Sequence, residues 1–282
     1  MSLSLKQNQS RLGRVFLLIA GFSLVELATA FYSNSLTLLA DAGHMLLDTA
    51  ALGLAWLALK LSTLPATSRF TFGYHRTQVL AAFVNSLLLC LLILWILIEA
   101  FARIMAPQAM LPLPVLGVAL LGLIVNIIAF FWLGSGKDNI NVRAAALHVL
   151  GDILGSLSAI AAALIVYFTG WLPVDALLAL LVAAILSISI WRVMKTSVSV
   201  LLEAAPADIE ADAVSEAIAT VEGVADVQEL RIWALTPEHP VATARVTCQQ
   251  GGNHQRIAQQ IQEALAERFQ MSSVTVQVTE TL

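Results

Sequence analysis

Residues 36–61 read LTLLADAGHMLLDTAALGLAWLALKL, and only Asp41, Asp48 and Lys60 among them are charged. A run of this length exceeds the about 20 apolar residues with which an α-helix crosses the hydrocarbon of a bilayer. Comparable stretches flank it at approximately Val15–Phe31, Val79–Ile104, Pro112–Leu133, Val142–Thr169 and Val174–Met194, separated by short polar breaks. With Leu36–Leu61 they predict six membrane helices. The composition agrees: 59% of the residues are hydrophobic and 12% charged, where a soluble domain has roughly 45–50% and about 25%. Mean hydropathy is +0.83, which excludes an ordinary soluble enzyme.

The charge is unevenly placed. Residues 1–202 hold 11 Lys/Arg and 7 Asp/Glu, whereas residues 203–282 hold 4 and 12. The sequence therefore predicts a membrane domain over residues 1–202 and a cytoplasmic domain over 203–282. An acidic second body and the lack of a long basic run exclude nucleic acid as a partner. The two cysteines, Cys90 and Cys248, form neither a CxxC pair nor a disulfide framework, so redox chemistry is not expected.

Orientation follows from the basic residues. Lys6, Arg11 and Arg14 precede the first span, Lys60, Arg69 and Arg76 lie around the break after the second, Lys137 and Arg143 around the break after the fourth, and Arg192 and Lys195 close the sixth. Only Arg103 falls on the other side, and the positive-inside rule then puts both termini in the cytoplasm. Short loops, a compact tail and no organelle-targeting extension point to a bacterial inner membrane. The first span also resembles a secretory signal ending in Ala28-Thr29-Ala30. Glu26 within its apolar core argues instead for a retained helix whose polar side faces other helices.

The tail reads as a small α/β domain. An amphipathic helix near Ile209–Thr220 leads to strands near Val227–Trp233 and Val241–Thr247, a helix near Gln255–Phe269 and an alternating strand at Val274–Val278.

The chemistry lies in the spans, where ionisable side chains are costly. The second span carries His44-Met45-Leu46-Leu47-Asp48 and the fifth His148-Val149-Leu150-Gly151-Asp152. Residues four apart share a helix face, so each helix presents one imidazole and one carboxylate in one direction. Facing each other, His44, Asp48, His148 and Asp152 offer two nitrogens and two oxygens, a tetrahedral set acceptable to Zn2+. Each pair read alone is equally a hydrogen-bonded unit within its own helix, or part of a proton relay. Because ligation needs neutral imidazole and ionised carboxylate, metal and protons compete for the same groups. A site that faces each side of the membrane in turn would load metal from the cytoplasm and return protonated.

Other polar residues carry milder readings. Asp41, one turn before His44, is an outer partner of the site, a gate residue or a helix-dipole residue. Asn85 and Asn126 read as interhelical hydrogen-bond formers, and Glu99 with Arg103 as a local ion pair.

The sequence resembles the cation diffusion facilitators, and especially their zinc-transporting branch, over nearly the whole chain. The segment Ser35–Asp48 looks like the family's second-helix signature, Phe72-Gly73-Tyr74-His75-Arg76 like its following loop, and Trp233-Ala234-Leu235-Thr236-Pro237-Glu238-His239-Pro240 like part of its tail. The resemblance implies a homodimeric metal/proton antiporter with six helices per subunit and a ferredoxin-like cytoplasmic domain. It implies metal-ligand roles for His44, Asp48, His148 and Asp152, with Zn2+ as transported substrate and no prosthetic group. Cd2+ and Co2+ accept the same donor types.

The departures from the family pattern are informative. The segment Gly134–Asn139 lacks the histidines many relatives carry there. In the tail, Gln228, Arg231, Arg245 and Ser273 stand where relatives often have metal-binding histidines, and Gln78 replaces an acidic loop residue. His75 remains a candidate loop ligand beside a structural or solvated reading. Two other functions compete with the zinc exporter: a membrane-tethered metal sensor and a proton-coupled efflux protein for an organic solute.

Overall fold

The computed structural model describes residues 3–134, 140–249 and 253–280. Six long helices come first: α1 (Leu3–Ser33), α2 (Leu36–Ser62), α3 (Arg76–Met105), α4 (Pro112–Gly134), α5 (Ile140–Thr169) and α6 (Pro173–Leu201). Proline opens α4 and α6, where its fixed φ suits the first helical position and its missing N–H is not needed. Among the described residues five helices are long and apolar enough to cross a membrane, and α1 adds the shorter apolar stretch Leu17–Ser33. The chain is a multi-pass membrane protein.

Several helices outrun the apolar spans read from sequence. Helix α6 has 29 residues, about 43 Å at roughly 1.5 Å per residue, against about 30 Å of hydrocarbon. A helix satisfies its own backbone hydrogen bonds, so it continues past Met194 without depending on a further apolar run. Residues 135–139, which include Lys137 and most of the break after α4, lie outside the described residues.

The chain divides into two compact units, residues 1–54 with 84–192 and residues 55–83 with 193–282. In the first, one apolar core joins Ala30 of α1, Leu38 of α2, Val115 and Ala119 of α4, and Ala159 and Ala163 of α5. A second core joins α2, α3 and α6 through Leu36, Ala40, Leu89, Ile96, Ala176 and Ala183. Alanine recurs at these contacts because a small side chain lets helix backbones approach closely. Large apolar residues such as Ile98, Phe131 and Ile188 remain exposed, the pattern of a lipid-facing surface.

In the second unit, α7 (Ala211–Ala219), β1 (Val224–Ala234), β2 (Pro240–Cys248), α8 (His254–Phe269) and β3 (Ser273–Glu280) follow the order read from the sequence. The sheet order is β1-β2-β3, antiparallel between β1 and β2 and parallel between β2 and β3, with α8 as the crossover. Central β2 is buried along most of its length. Helix α8 lays Ile257, Ile261 and Leu265 against it, a spacing of four that lines one helix face, and Asn253 caps its start by accepting the Arg256 N–H at 3.1 Å. Val79 of α3, Val200 of α6 and Ala234 of β1 form a small cluster of their own, and Arg76 bonds Glu203 at 3.0 Å.

Candidate metal-transport site

Helix α2 is held at its first turn by α6. Asp175, 4% exposed, accepts hydrogen bonds from the Ser35 hydroxyl at 2.8 Å, from Leu36 N–H at 2.6 Å and from Thr37 N–H at 3.2 Å. Its backbone carbonyl accepts the Thr37 hydroxyl at 2.7 Å. The N–H groups that open a helix have no partner within it, and here a carboxylate from another helix supplies one. Arg103 extends the network: it bonds Glu99 at 2.9 Å, as the sequence spacing predicts, and donates to the Asn34 carbonyl at 2.6 Å and side chain at 2.9 Å. Asn34 can form this turn because asparagine tolerates its φ of 57°.

From that anchor α2 changes character. Every residue from Leu36 to Ala42 is buried, while His44 and Asp48 are partly open. His44 Nε2 lies 3.3 Å from Asp48 Oδ2, with 12% and 19% of the two side chains exposed. This is the pairing within one helix that i,i+4 spacing allows.

On α5 the Asp152 side chain is 2% exposed. The backbone of His148 belongs to the same helix one turn earlier, and its side chain lies outside the described ones. Among the described residues no three His, Cys, Asp or Glu side chains converge closely enough to hold a metal ion. The structure thus joins His44 to Asp48 on α2 and buries Asp152 on α5, without gathering these three into one cluster.

Two further carboxylates are buried in this half of the molecule. Asp41 packs onto Gly155 of α5 so closely that a β-carbon there would lie 2.6 Å from the Asp41 Cγ. Glu26 of α1 is fully buried, as a retained polar-faced helix requires, and lies within Coulombic range of Asp41 and Asp152. Asn126 of α4 donates to the Ser156 hydroxyl at 3.4 Å, an interhelical bond. Sequence reasoning had isolated Glu26 and Asp41 one at a time. Their shared location depends on how α1, α2 and α5 pack. It missed the role of Asp175 altogether, although an acid at the start of α6 and Ser35 just before α2 were the available signals.

Outside the spans, the rings of His75 and His239 stand 5.7 Å apart, and His239 Nδ1 is 2.7 Å from the Thr236 hydroxyl. In the sheet, Arg231 and Arg245 both pair with Glu229 of the same chain, and Arg245 Nε donates to Gln277 at 3.1 Å. These two arginines are engaged with acceptors on their own sheet.

Six long helices with the acidic side chains of Glu26, Asp41 and Asp152 buried among them and His44 partly open, followed by a small sheet domain, make a multi-pass membrane protein whose spans hold ionisable groups. Residues 13–202 match the cation efflux transmembrane domain and residues 206–280 the cytoplasmic domain of cation efflux proteins. The chain belongs to the cation efflux family, whose members are transporters and not enzymes. It is 43% identical to the zinc transporter ZitB of Escherichia coli over 274 residues, 96% of this chain and 87% of that protein. It is 36% identical to the metal cation efflux system protein CzcD of Cupriavidus metallidurans over 272 residues, 96% and 86% of the two chains. A Bacillus velezensis protein named a cadmium, cobalt and zinc/H(+)-K(+) antiporter is 39% identical over 224 residues, 78% and 72% of the two chains.

Proposed function

We propose that this chain exports Zn2+ from the cytoplasm in exchange for protons, using His44, Asp48, His148 and Asp152 as the metal ligands. The reading rests above all on the paired H-x-x-x-D motifs of α2 and α5, whose members sit partway along two membrane helices. Two carboxylates and one divalent cation are neutral together, so metal offsets the cost of burying the acids. Protons compete with metal for the same nitrogens and oxygens, which couples the two fluxes. The cytoplasmic domain carries the homodimer, residues 1–202 span the membrane, and both termini face the cytoplasm. Burial from Leu36 to Ala42 beside partial exposure of His44 and Asp48 supports a state closed at the start of α2 and open further along it.

Zinc uptake into proteoliposomes carrying an imposed pH gradient tests this. Asp48→Ala and Asp152→Ala each remove a charged ligand, and a three-ligand remnant holds zinc in a different geometry. Both variants insert and fold but lose zinc/proton exchange. Near-normal exchange by both would refute the shared site. Zinc binding with no uptake by the unaltered chain would favour a tethered sensor, and proton movement independent of metal an organic-solute antiporter.

A further inference from the structure

Between the metal ligands and the closed end of the helix bundle lies a layer with unusual chemistry. Its level is set by three contacts: Asp41 against Gly155, Phe22 within 2.8 Å of where a β-carbon of Gly122 would lie, and Ser156 within 3.3 Å of that same position. One turn from this layer in one direction are His44 on α2 and Asp152 on α5. In the other direction come Leu38, Ala119 and Ala159, followed by Val115 and Ala163, all buried and apolar. Glu26 stands one turn beyond Phe22 on α1 toward that apolar plug, with its Cα–Cβ bond tilted back toward the start of the helix, as in any α-helix.

Both carboxylate oxygens of Glu26 and Oδ2 of Asp41 are buried without a hydrogen-bond partner among the described residues. Glu26 is 0% and Asp41 2% exposed. An unsatisfied buried polar atom is destabilising, and an unpaired buried charge more so. Packing alone therefore gives no reason to place two such acids together, and a cation passing between them does. Their oxygens are hard donors with no imidazole among them, so they bind zinc less firmly than a mixed nitrogen and oxygen set. Weaker binding on the way out is what a release step requires.

We propose that Glu26 and Asp41 form a release station: a divalent cation, retaining part of its water shell, passes from the His44/Asp48/His148/Asp152 set to these two carboxylates before it crosses the apolar plug. The station rests on the export reading above and adds a second position to it. It is occupied when the plug opens, and it is the first position that zinc arriving from the release side encounters.

The test uses the full-length protein in vesicles, with zinc supplied on the tail side and a second, varied zinc concentration preloaded on the release side. Asp48→Ala serves as the reference for the export site. Glu26→Gln and Asp41→Asn keep side-chain shape and remove charge. Each lowers the maximal rate and leaves the half-saturating zinc on the tail side within about twofold, while the preloaded zinc needed for inhibition rises about tenfold, the mark of a site reached from one side. If inhibition from the release side is unchanged in both variants, or if the two constants move together, the station is overturned. Should Glu26→Gln fail to fold, Glu26→Asp, which keeps the charge but withdraws the oxygens, must separate the same two constants, and failure to do so overturns the proposal. Transport surviving in Asp48→Ala would instead defeat the export site. With that variant inactive, the release-side constant judges the station alone.

Discussion

The residue at position 155 has no side chain because the Asp41 carboxylate occupies the space a β-carbon would take. The obstacle is a short acidic side chain rather than the tip of a flexible one, so Gly155→Ala pushes Asp41 away from α5. Overpacking of this kind costs about 1–3 kcal/mol. The variant is expected to lose stability by that amount in a detergent melt and to transport zinc at less than about a tenth of the normal rate, since a displacement of about 1 Å near a reacting site has effects of that order. An unchanged rate would mean that the position of Asp41 does not matter. At position 44 the prediction concerns selectivity. His44→Asp keeps four ligands while replacing nitrogen with oxygen, and it loosens discrimination toward Cd2+ without abolishing transport. Ligand hardness by itself does not favour cadmium, so this direction rests on the resemblance to the cation diffusion facilitators alone. The Zn2+/Cd2+ rate ratio in proteoliposomes measures it, and an unaltered ratio removes His44 from the selectivity filter.

At the scale of the element, α2 is the helix on which the function turns, and its start is fixed by α6. Asp175 satisfies two backbone N–H groups and one hydroxyl in a buried setting. Asp175→Ala leaves them without that acceptor, at about 1–3 kcal/mol for each buried group left unpaired. The expected result is a melting midpoint several degrees lower, with Asp175→Asn between the variant and the natural chain because an amide retains one acceptor oxygen. Equal melting of Asp175→Ala and the unaltered protein would show that the first turn of α2 finds other partners. The anchored end is also the buried one: Leu36 to Ala42 are buried, while His44 and Asp48 further along are partly open.

For the molecule as a whole, the open question is what holds two copies together. Residues 203–282 carry 12 acidic and 4 basic residues, so two tails repel at low salt and the repulsion weakens once the Debye length falls to about 10 Å at 0.1 M. Arg231 and Arg245, which the family resemblance puts at places where relatives often have metal-binding histidines, both pair with Glu229 of their own chain. A guanidinium is no ordinary metal ligand. The tail is therefore expected to dimerise in chelator, more tightly as salt rises. Residues 204–282 contain an apolar core of their own, and sedimentation of that piece with and without zinc measures the effect. Dimerisation that needs stoichiometric zinc and is lost in His239→Ala or His254→Ala would identify the tail as a metal switch.

The six apolar spans, the acidic α/β tail and the two H-x-x-x-D pairs are legible in the amino-acid order alone. Each is a local property: hydrophobic run length sets membrane helices, alternation sets strands, and i,i+4 spacing puts His44 and Asp48 on one face whatever surrounds them. The Glu99–Arg103 pair was legible for the same reason. Helix ends were less so, because α6 continues past its apolar part on backbone hydrogen bonds that hydropathy does not register. Packing between helices brings Asp175 to cap a helix 139 residues away from it in sequence, presses Asp41 on Gly155, and puts Glu26 within Coulombic range of Asp41 and Asp152. Those relations depend on which faces of α1, α2, α5 and α6 meet. Interhelical packing is fixed by shape and by the satisfaction of buried polar groups over the whole bundle, which no single stretch of sequence contains.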